Sequence, residues 1–362
     1  MNYRLSTIFE TKSYAADATE IIDLDMDDPI SQLIIELQAN ITDDTAITAH
    51  VVACLTKIEL VDGSDVLFSL SGYEADAVDW YHNHNLNSPW NIYMGWGETS
   101  RYIRMNFGRF LWDPILAFDP KKFRNPQLKI SLDINAGGAV PTTNKLKVWA
   151  AIFDQKSIAP EGFLMHKEVK SYTATASAHE YTDLPTDFAY RKLFAKVLYP
   201  EVEPGAIFSN FKLSEDQDRR IIVNHGPEEI HRTLAMRSGP IEETIHARVN
   251  TSATHIYCTP TARVYVVANE QGATSGAGAI ATDMGDGGRF HAIAATAQKY
   301  ANFSVRGWVP HGTYEIPFGL QDEIDDWYDV AGIGSLKLDI TAGAHSATTP
   351  SAQVFLQQLR RY

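Results

Sequence analysis

Cysteine is almost absent from this chain of 362 residues: Cys54 and Cys258 stand far apart, with no CxxC pair and no Cys/His spacing. A disulfide framework and a zinc-ribbon pattern are therefore excluded, and both thiols read as small buried apolar side chains in a reduced setting. Positive charge is scarce as well. With 31 Lys and Arg against 45 Asp and Glu, the formal net charge is -14. No basic stripe is available for nucleic acid, and the overall field opposes phosphate contacts. No window approaches the ~18 apolar residues of a membrane helix. The N-terminal stretch MNYRLSTIFETKSYAADATE lacks a charged-then-apolar leader, which predicts a soluble chain made in the cytosol.

The common catalytic signatures are missing too. Neither GxxxxGK[ST] nor GxSxG occurs, and Gly276 and Gly278 do not complete GxGxxG. His82-Asn83-His84 has the look of a cupin HxH pair, but no carboxylate follows in Asn85 to Pro89 and the pair ends a predicted helix. Two solvated histidines near a helix C-terminus, where the dipole favours positive charge, are the better expectation. His225, Glu228, Glu229 and His231 lack the HExxH spacing and read as a polar helix start. Asp322, Glu323, Asp325 and Asp326 offer paired acids of the kind glycosidases use, yet a charge run between two strands is usually a solvated turn. Trp90, Tyr93 and Trp96, interleaved with glycine, suit either a sugar-stacking loop or a packing surface. No catalytic constellation, metal site or cofactor site is expected, and the chain reads as a non-enzyme.

What the sequence does contain is a repeat. Tyr314, Ile316 and Phe318 alternate with polar neighbours, as do Ile103, Met105 and Phe107. Leu336, Leu338 and Ile340 repeat the pattern of Leu128, Ile130, Leu132 and Ile134. Period-two alternation marks half-buried strands, and a pattern written twice predicts a duplicated β-sandwich. A chain of this length is long enough for two cores.

The preceding elements repeat as well. Ile30 to Ile41 reads as a strand, followed by His50 to Val61 and Val66 to Ser71, a pair joined by Asp62-Gly63. Ser71 and Glu74 at capping-box spacing then open a helix reaching Asn83. In the second half, Phe188 to Tyr199, Ala206 to Leu213 and Arg219 to Asn224 read as strands, and Pro227 with two acids opens a helix to Ala235. The spacing between equivalent strands grows from 153 residues (Ile58 to Phe211) to 206 (Ile134 to Ile340). About fifty residues are therefore inserted after the second helix. The segment 239–311 is read as a small projecting β subdomain of two strand-like pairs, HIYC with RVYVVAN and FHAIAATAQ with FSVRGWV. Between them the Gly/Ala/Ser-rich stretch 272–288 is expected to be a mobile surface loop. A short linker at 156–161 divides a first sandwich, 1–158, from a second, 159–362.

This organisation resembles the double jelly-roll major capsid proteins of tailless icosahedral viruses. Its carriers are two sandwiches, each with a helix after its middle strand pair, the NFG/PFG and LDI strands, and the large insertion. The stretches NFGRFLWDPILAFDPKKFRNPQLKISLDI and EYTDLPTDFAYRKL are similar to prokaryotic virus members. The resemblance implies an all-β double jelly roll and a structural role in a virion capsid. It implies homotrimers with a pseudo-hexagonal footprint, neighbouring capsomers and vertex or minor capsid proteins as partners, and the insertion as an outer tower. An internal membrane is common in the family, although the N-terminus here carries no basic or amphipathic arm. Candidate subunit-contact residues are Trp90, Tyr93, Trp96, Phe110, Trp112, Trp308 and Trp327, because aromatic side chains are enriched at interface cores. A two-sandwich glycan hydrolase, a bicupin or a carbohydrate-binding module is the alternative reading.

Overall fold

A computed structural model describes residues 2–41, 47–86, 88, 90–94, 97–139, 141–270, 280–283, 285–295 and 298–362. The first half contains β1 (Tyr3–Tyr14), β2 (Ala18–Asp23), β3 (Ile30–Ile41), β4 (Ile47–Ala49), β5 (Leu55–Asp62), β6 (Asp65–Leu70), helix α1 (Gly72–Asn83), β7 (Trp90–Tyr93), β8 (Glu98–Asn106), β9 (Pro126–Leu132), β10 (Gly138–Ala139) and β11 (Pro141–Phe153). The second half opens with β12 (Gly162–Thr173), β13 (His179–Leu184), β14 (Tyr190–Leu198), the one-turn helix α2 (Pro204–Ile207), β15 (Phe208–Glu215), β16 (Arg220–His225) and helix α3 (Pro227–Arg237). Six further strands follow: β17 (Ile241–Val249), β18 (Thr254–Tyr257), β19 (Pro260–Glu270), β20 (Ile280–Thr282), β21 (Arg289–Ala294) and β22 (Lys299–Pro310). The chain closes with β23 (Thr313–Pro317), β24 (Leu336–Ala342) and β25 (Ser351–Arg361).

Strand pairing follows the duplicated pattern. The first half pairs as β1-β11-β3-β8 and β2-β9-β5-β6; the second pairs as β12-β25-β14-β23 and β13-β24-β15-β16. These orders correspond position by position. β8 and β23 close equivalent sheet edges beside β3 and β14, and β9 and β24 lie at equivalent interior places. Each half is a jelly roll of two four-stranded sheets. The rolls are joined where β6 pairs in parallel with β12, Phe68 opposite His166 and Ser69 opposite Lys167, so that two four-stranded sheets become one of eight strands.

Local chemistry explains the main elements. Gly63 takes φ +62 in the two-residue turn between β5 and β6, the left-handed geometry that tight hairpins require. The Ser71 N–H donates to the Glu74 carboxylate at 2.7 Å, closing the box that starts α1. Pro227 occupies the first turn of α3 with Glu228 and Glu229 beside it. Alternation in β9 buries Leu128, Ile130 and Leu132, and alternation in β24 buries Leu336, Leu338 and Ile340. One continuous apolar cluster runs through both rolls and includes the stacked pair Phe194 and Phe355, with ring centroids 4.8 Å apart.

Four local expectations change. Val51–Cys54 form a 3-10 turn rather than the start of a strand, because the His50 side chain accepts the Val52 N–H and bends the chain; the strand begins at Leu55. Ala206 and Ile207 belong to α2, and the strand begins at Phe208. Ile241–Val249, unread in the sequence, is the strand β17, with inward Ile241, Ile245 and Val249. The Gly/Ala/Ser-rich stretch, expected to be a loop throughout, contains the strand β20 (Ile280–Thr282) and a 3-10 turn at Asp286–Gly288; residues 272–279 and 284 lie outside the described residues.

The inserted strands form two sheets, β19-β22-β17-β7 and β18-β21-β20. They enclose a separate small core in which Phe290 packs on Phe303 at 5.2 Å, joined by Ile245, Ile256 and Val305. One strand of this unit comes from the first half: β7 pairs in parallel with β17, Trp90 opposite Thr244 and Tyr93 opposite Ala247. The stretch expected to be an aromatic loop is thus partly an edge strand.

Candidate functional site

The place where the two rolls and the insertion meet is a buried network of charges. Arg101, on β8, is 1% exposed. Its Nε and Nη2 donate to the two carboxylate oxygens of Asp76 on α1 at 2.9 and 2.6 Å, its Nη1 to the Ser88 carbonyl at 2.7 Å, and its Nη2 also to Thr259 Oγ1 at 3.1 Å. Glu243 on β17 lies 3.8 Å from Arg101, accepts the Thr259 N–H at 2.8 Å, and accepts from the Asn91 side chain. Asn91 also contacts His50 Nε2 at 3.0 Å. His311, just before β23, reaches Asp76 at 2.7 Å, and its ring meets His50 edge-on at 4.8 Å.

Burial alone would raise the Asp76 carboxyl, but the Arg101 guanidinium and the His311 contact outweigh it and hold the group well below the ordinary carboxylate range. Glu243 is lowered in the same way against its own desolvation. Desolvation takes His311 down to about 4 despite the hydrogen bond to Asp76. The charges are spent on one another, as buried charges must be. A cavity of about 190 Å³ beside the network is lined by His50, Tyr73, Tyr257, Cys258 and His311. Burial pushes the Cys258 thiol well above its usual value, which withholds the thiolate a nucleophile needs.

None of these network residues was singled out by the sequence reading. A buried arginine and its partners come from separate strands and helices, and their spacing in the chain carries no signature. The histidines that were singled out take different roles. His84 is exposed at the left-handed end of α1, φ 52, whereas the ring nitrogens of His82 are buried without a hydrogen-bond partner. The expected pair of solvated histidines is therefore corrected: α1 packs its last turn inward, and burial, then Arg191 and Lys192, hold His82 well below the usual imidazole range. His231 is buried with its ring 5.2 Å from Trp308, and Glu228 pairs with Arg232 and Arg263 at 3.0 and 2.6 Å; no shared ligand geometry arises. Asp322, Glu323, Asp325 and Asp326 are exposed, and Asp326 caps its own turn by accepting the Leu320 N–H at 2.6 Å. Among the described residues one group, Glu201, His255 and His291, brings metal-ligating atoms together.

The aromatic candidates separate by exposure. Trp90 is 61% exposed at the outer strand of the insertion sheet, and Phe110 is 49% exposed in the loop after β8. Trp112 and Trp308 are half-buried; Trp112 sits against Tyr3 at 4.5 Å and Phe153 at 5.5 Å. Tyr93 is buried in the insertion core, where its hydroxyl donates to the Tyr257 carbonyl at 3.1 Å. Trp327 is buried under the Arg191 guanidinium, 5.5 Å from its ring, and donates to the Leu320 carbonyl at 3.2 Å. Those two rings are used within the chain. Trp96 lies outside the described residues.

No protein-family model matches the sequence, and no curated protein matches it. Structure comparison finds likeness along nearly the whole chain. The major capsid protein of STIV, Sulfolobus Turreted Icosahedral Virus, superposes with a TM-score of 0.60 at 10% identity, over 98% of this chain and 96% of that one. The major capsid protein P2 of bacteriophage PM2 gives 0.57 at 11% identity, over 99% and 98%. PBCV-1 VP54, fitted into a reconstruction of the virophage Sputnik, gives 0.57 at 11% identity, over 99% and 94%. The polypeptide has the double jelly-roll fold of these proteins.

Proposed function

We propose that this protein is a major capsid protein, a structural subunit located in the virion shell and without enzymatic activity. The observation that carries the reading is the pair of matched jelly rolls, fused through β6 and β12 and superposing end to end on viral capsid proteins. The buried charges around Arg101 are paired with one another in a structural junction. The exposed acids in their turn and the blocked thiol supply no hydrolytic machinery.

The proposal extends to assembly. The chain divides between β11 and β12, near 158, into two rolls that present similar but non-identical flanks, with the segment 239–311 as a projection. The two separate four-stranded sheets differ in strand make-up: β1-β11-β3-β8 belongs to the first roll and β13-β24-β15-β16 to the second. Contact between unlike flanks is head-to-tail, and closing it by a three-fold rotation produces a trimer with six rolls around its axis. Exposed Leu5 on β1 and exposed Ile221 on β16 lie on the two flanks, and Trp90 and Phe110 are aromatic anchors for neighbouring subunits. Neighbouring trimers and minor capsid proteins are the partners this assembly requires. The negative net charge suits a shell that does not adsorb its genome.

Light scattering on the purified chain tests the reading, with a mass three times the 40.3 kDa protomer expected. Negative-stain images are expected to contain hexagonal arrays or closed particles. A protein that stays monomeric at high concentration and forms no arrays overturns the proposal.

A further inference from the structure

Glu201, His255 and His291 come from three separate places in the chain. Glu201 sits in the turn after β14, in the left-handed conformation with φ +69, where its N–H donates to the Asp286 carbonyl at 2.9 Å. That bond ties the second roll to the insertion. His255 on β18 and His291 on β21 are cross-strand partners with ring centroids 4.4 Å apart. One ligand atom from each of the three residues lies within 4.8 Å of the others, and His291 Nε2 is 2.9 Å from Glu201 Oε1. Ligands around a tetrahedral ion with bonds of ~2.0–2.1 Å stand roughly 3.3 Å apart, so small side-chain rotations convert this cluster into a coordination shell.

Two further features point to a ligand. The Nδ1 of His255 is buried with no hydrogen-bond partner among the described residues, an orphan that a metal would satisfy. On its far side, His291 Nδ1 meets Asp283 Oδ2 at 3.1 Å, and Asp283 Oδ1 accepts the His291 backbone N–H at 2.6 Å. A carboxylate that fixes one imidazole nitrogen while the other faces the ligand cluster is the arrangement that orients metal-bound histidines.

We propose that Glu201, His255 and His291 bind one Zn2+-like divalent cation per chain, oriented by Asp283, and that the ion fastens the insertion to the second roll. Two imidazoles favour a borderline transition metal over Ca2+ or Mg2+, which take shells of oxygen ligands. Arg289, 2.5 Å from Glu201, partly neutralises the carboxylate and further disfavours a purely electrostatic site for hard cations.

The test uses the full chain, stripped with chelator and titrated with Zn2+ by calorimetry and with Co2+ by visible absorption. One saturating equivalent, a tetrahedral Co2+ spectrum and a raised Tm are expected in the wild type. Both His255→Ala and His291→Ala are expected to abolish them, Asp283→Asn to weaken binding ~10–100-fold, and the exposed control His225→Ala to leave binding intact. Elution volume and circular dichroism establish that each variant is folded. No saturable Zn2+ binding, binding unchanged in His255→Ala and His291→Ala, or saturation by Ca2+ in preference to Zn2+ overturns the proposal.

Discussion

Arg101 holds both oxygens of Asp76 in a fork, at 2.9 and 2.6 Å, with the arginine 1% and the aspartate 3% exposed. The pair joins α1 to β8, and through Thr259 and Glu243 it reaches the insertion. Bidentate geometry of this kind combines charge with a fixed orientation.

Removing one partner strands the other charge in a buried site. Arg101→Met is therefore expected to destabilise the protein by ~3–5 kcal/mol, read as a lower unfolding midpoint in denaturant. The double variant Arg101→Met, Asp76→Asn is expected to lose less than the sum of the two single changes, because Arg101 and Asp76 then no longer leave one another unpaired. Additive losses would refute the coupling.

Acid sensitivity follows from buried histidines. Burial, then Arg191 and Lys192, brings His166 down to about 3, and burial brings His311 down to about 4. In the unfolded chain a histidine titrates near ~6.5. Below that value the unfolded state binds protons that the folded state refuses, so stability falls as pH drops from about 6.5 towards 3. The slope is about 1.4 kcal/mol per pH unit for each such histidine inside its window. Denaturant melts from pH 7 to pH 4 read this slope, and His166→Gln is expected to make it shallower. An unchanged slope in that variant removes His166 from the account.

Gly312 takes φ +74 between β22 and β23, and a Cβ there would stand 1.9 Å from the Val197 carbonyl oxygen. Gly312→Ala is expected to cost ~2 kcal/mol or more, from left-handed strain together with displacement of β14. A control at Gly63, where a Cβ meets nothing within 4 Å, is expected to show the smaller cost of conformation alone. Equal losses at the two sites would contradict the steric part.

Exposed rings test assembly apart from folding. Trp90→Ala and Phe110→Ser are expected to leave protomer melting within ~0.5 kcal/mol of wild type. Each is expected to weaken subunit association by 2 kcal/mol or more, roughly thirty-fold. Sedimentation velocity across a dilution series provides the measurement. Unaltered association in both variants eliminates these rings as anchors.

Much of the fold was legible because it is written locally and twice. Period-two alternation in β9 and β24, the Asp62-Gly63 turn, the Ser71/Glu74 box and the Pro227 start each act within a few residues of chain. The equivalence of Ile103, Met105 and Phe107 with Tyr314, Ile316 and Phe318 needed only comparison of one stretch with another. His82 was misplaced because helical spacing does not state which side of a helix end is covered; the charges that act on it once it is buried, Arg191 and Lys192, are more than a hundred residues away.

The sequence by itself determined the duplicated strands, the helices after their middle strand pairs and the acidic balance, since these depend on short-range pattern and composition. Only the tertiary structure decided that β7 leaves the first roll's neighbourhood to pair with β17, that Arg101 closes on Asp76, and that Tyr93 and Trp327 face inward. Those outcomes rest on contacts between segments tens to hundreds of residues apart. Which strand finds a free sheet edge, and which charge finds its partner in the dry interior, depends on how the whole chain packs.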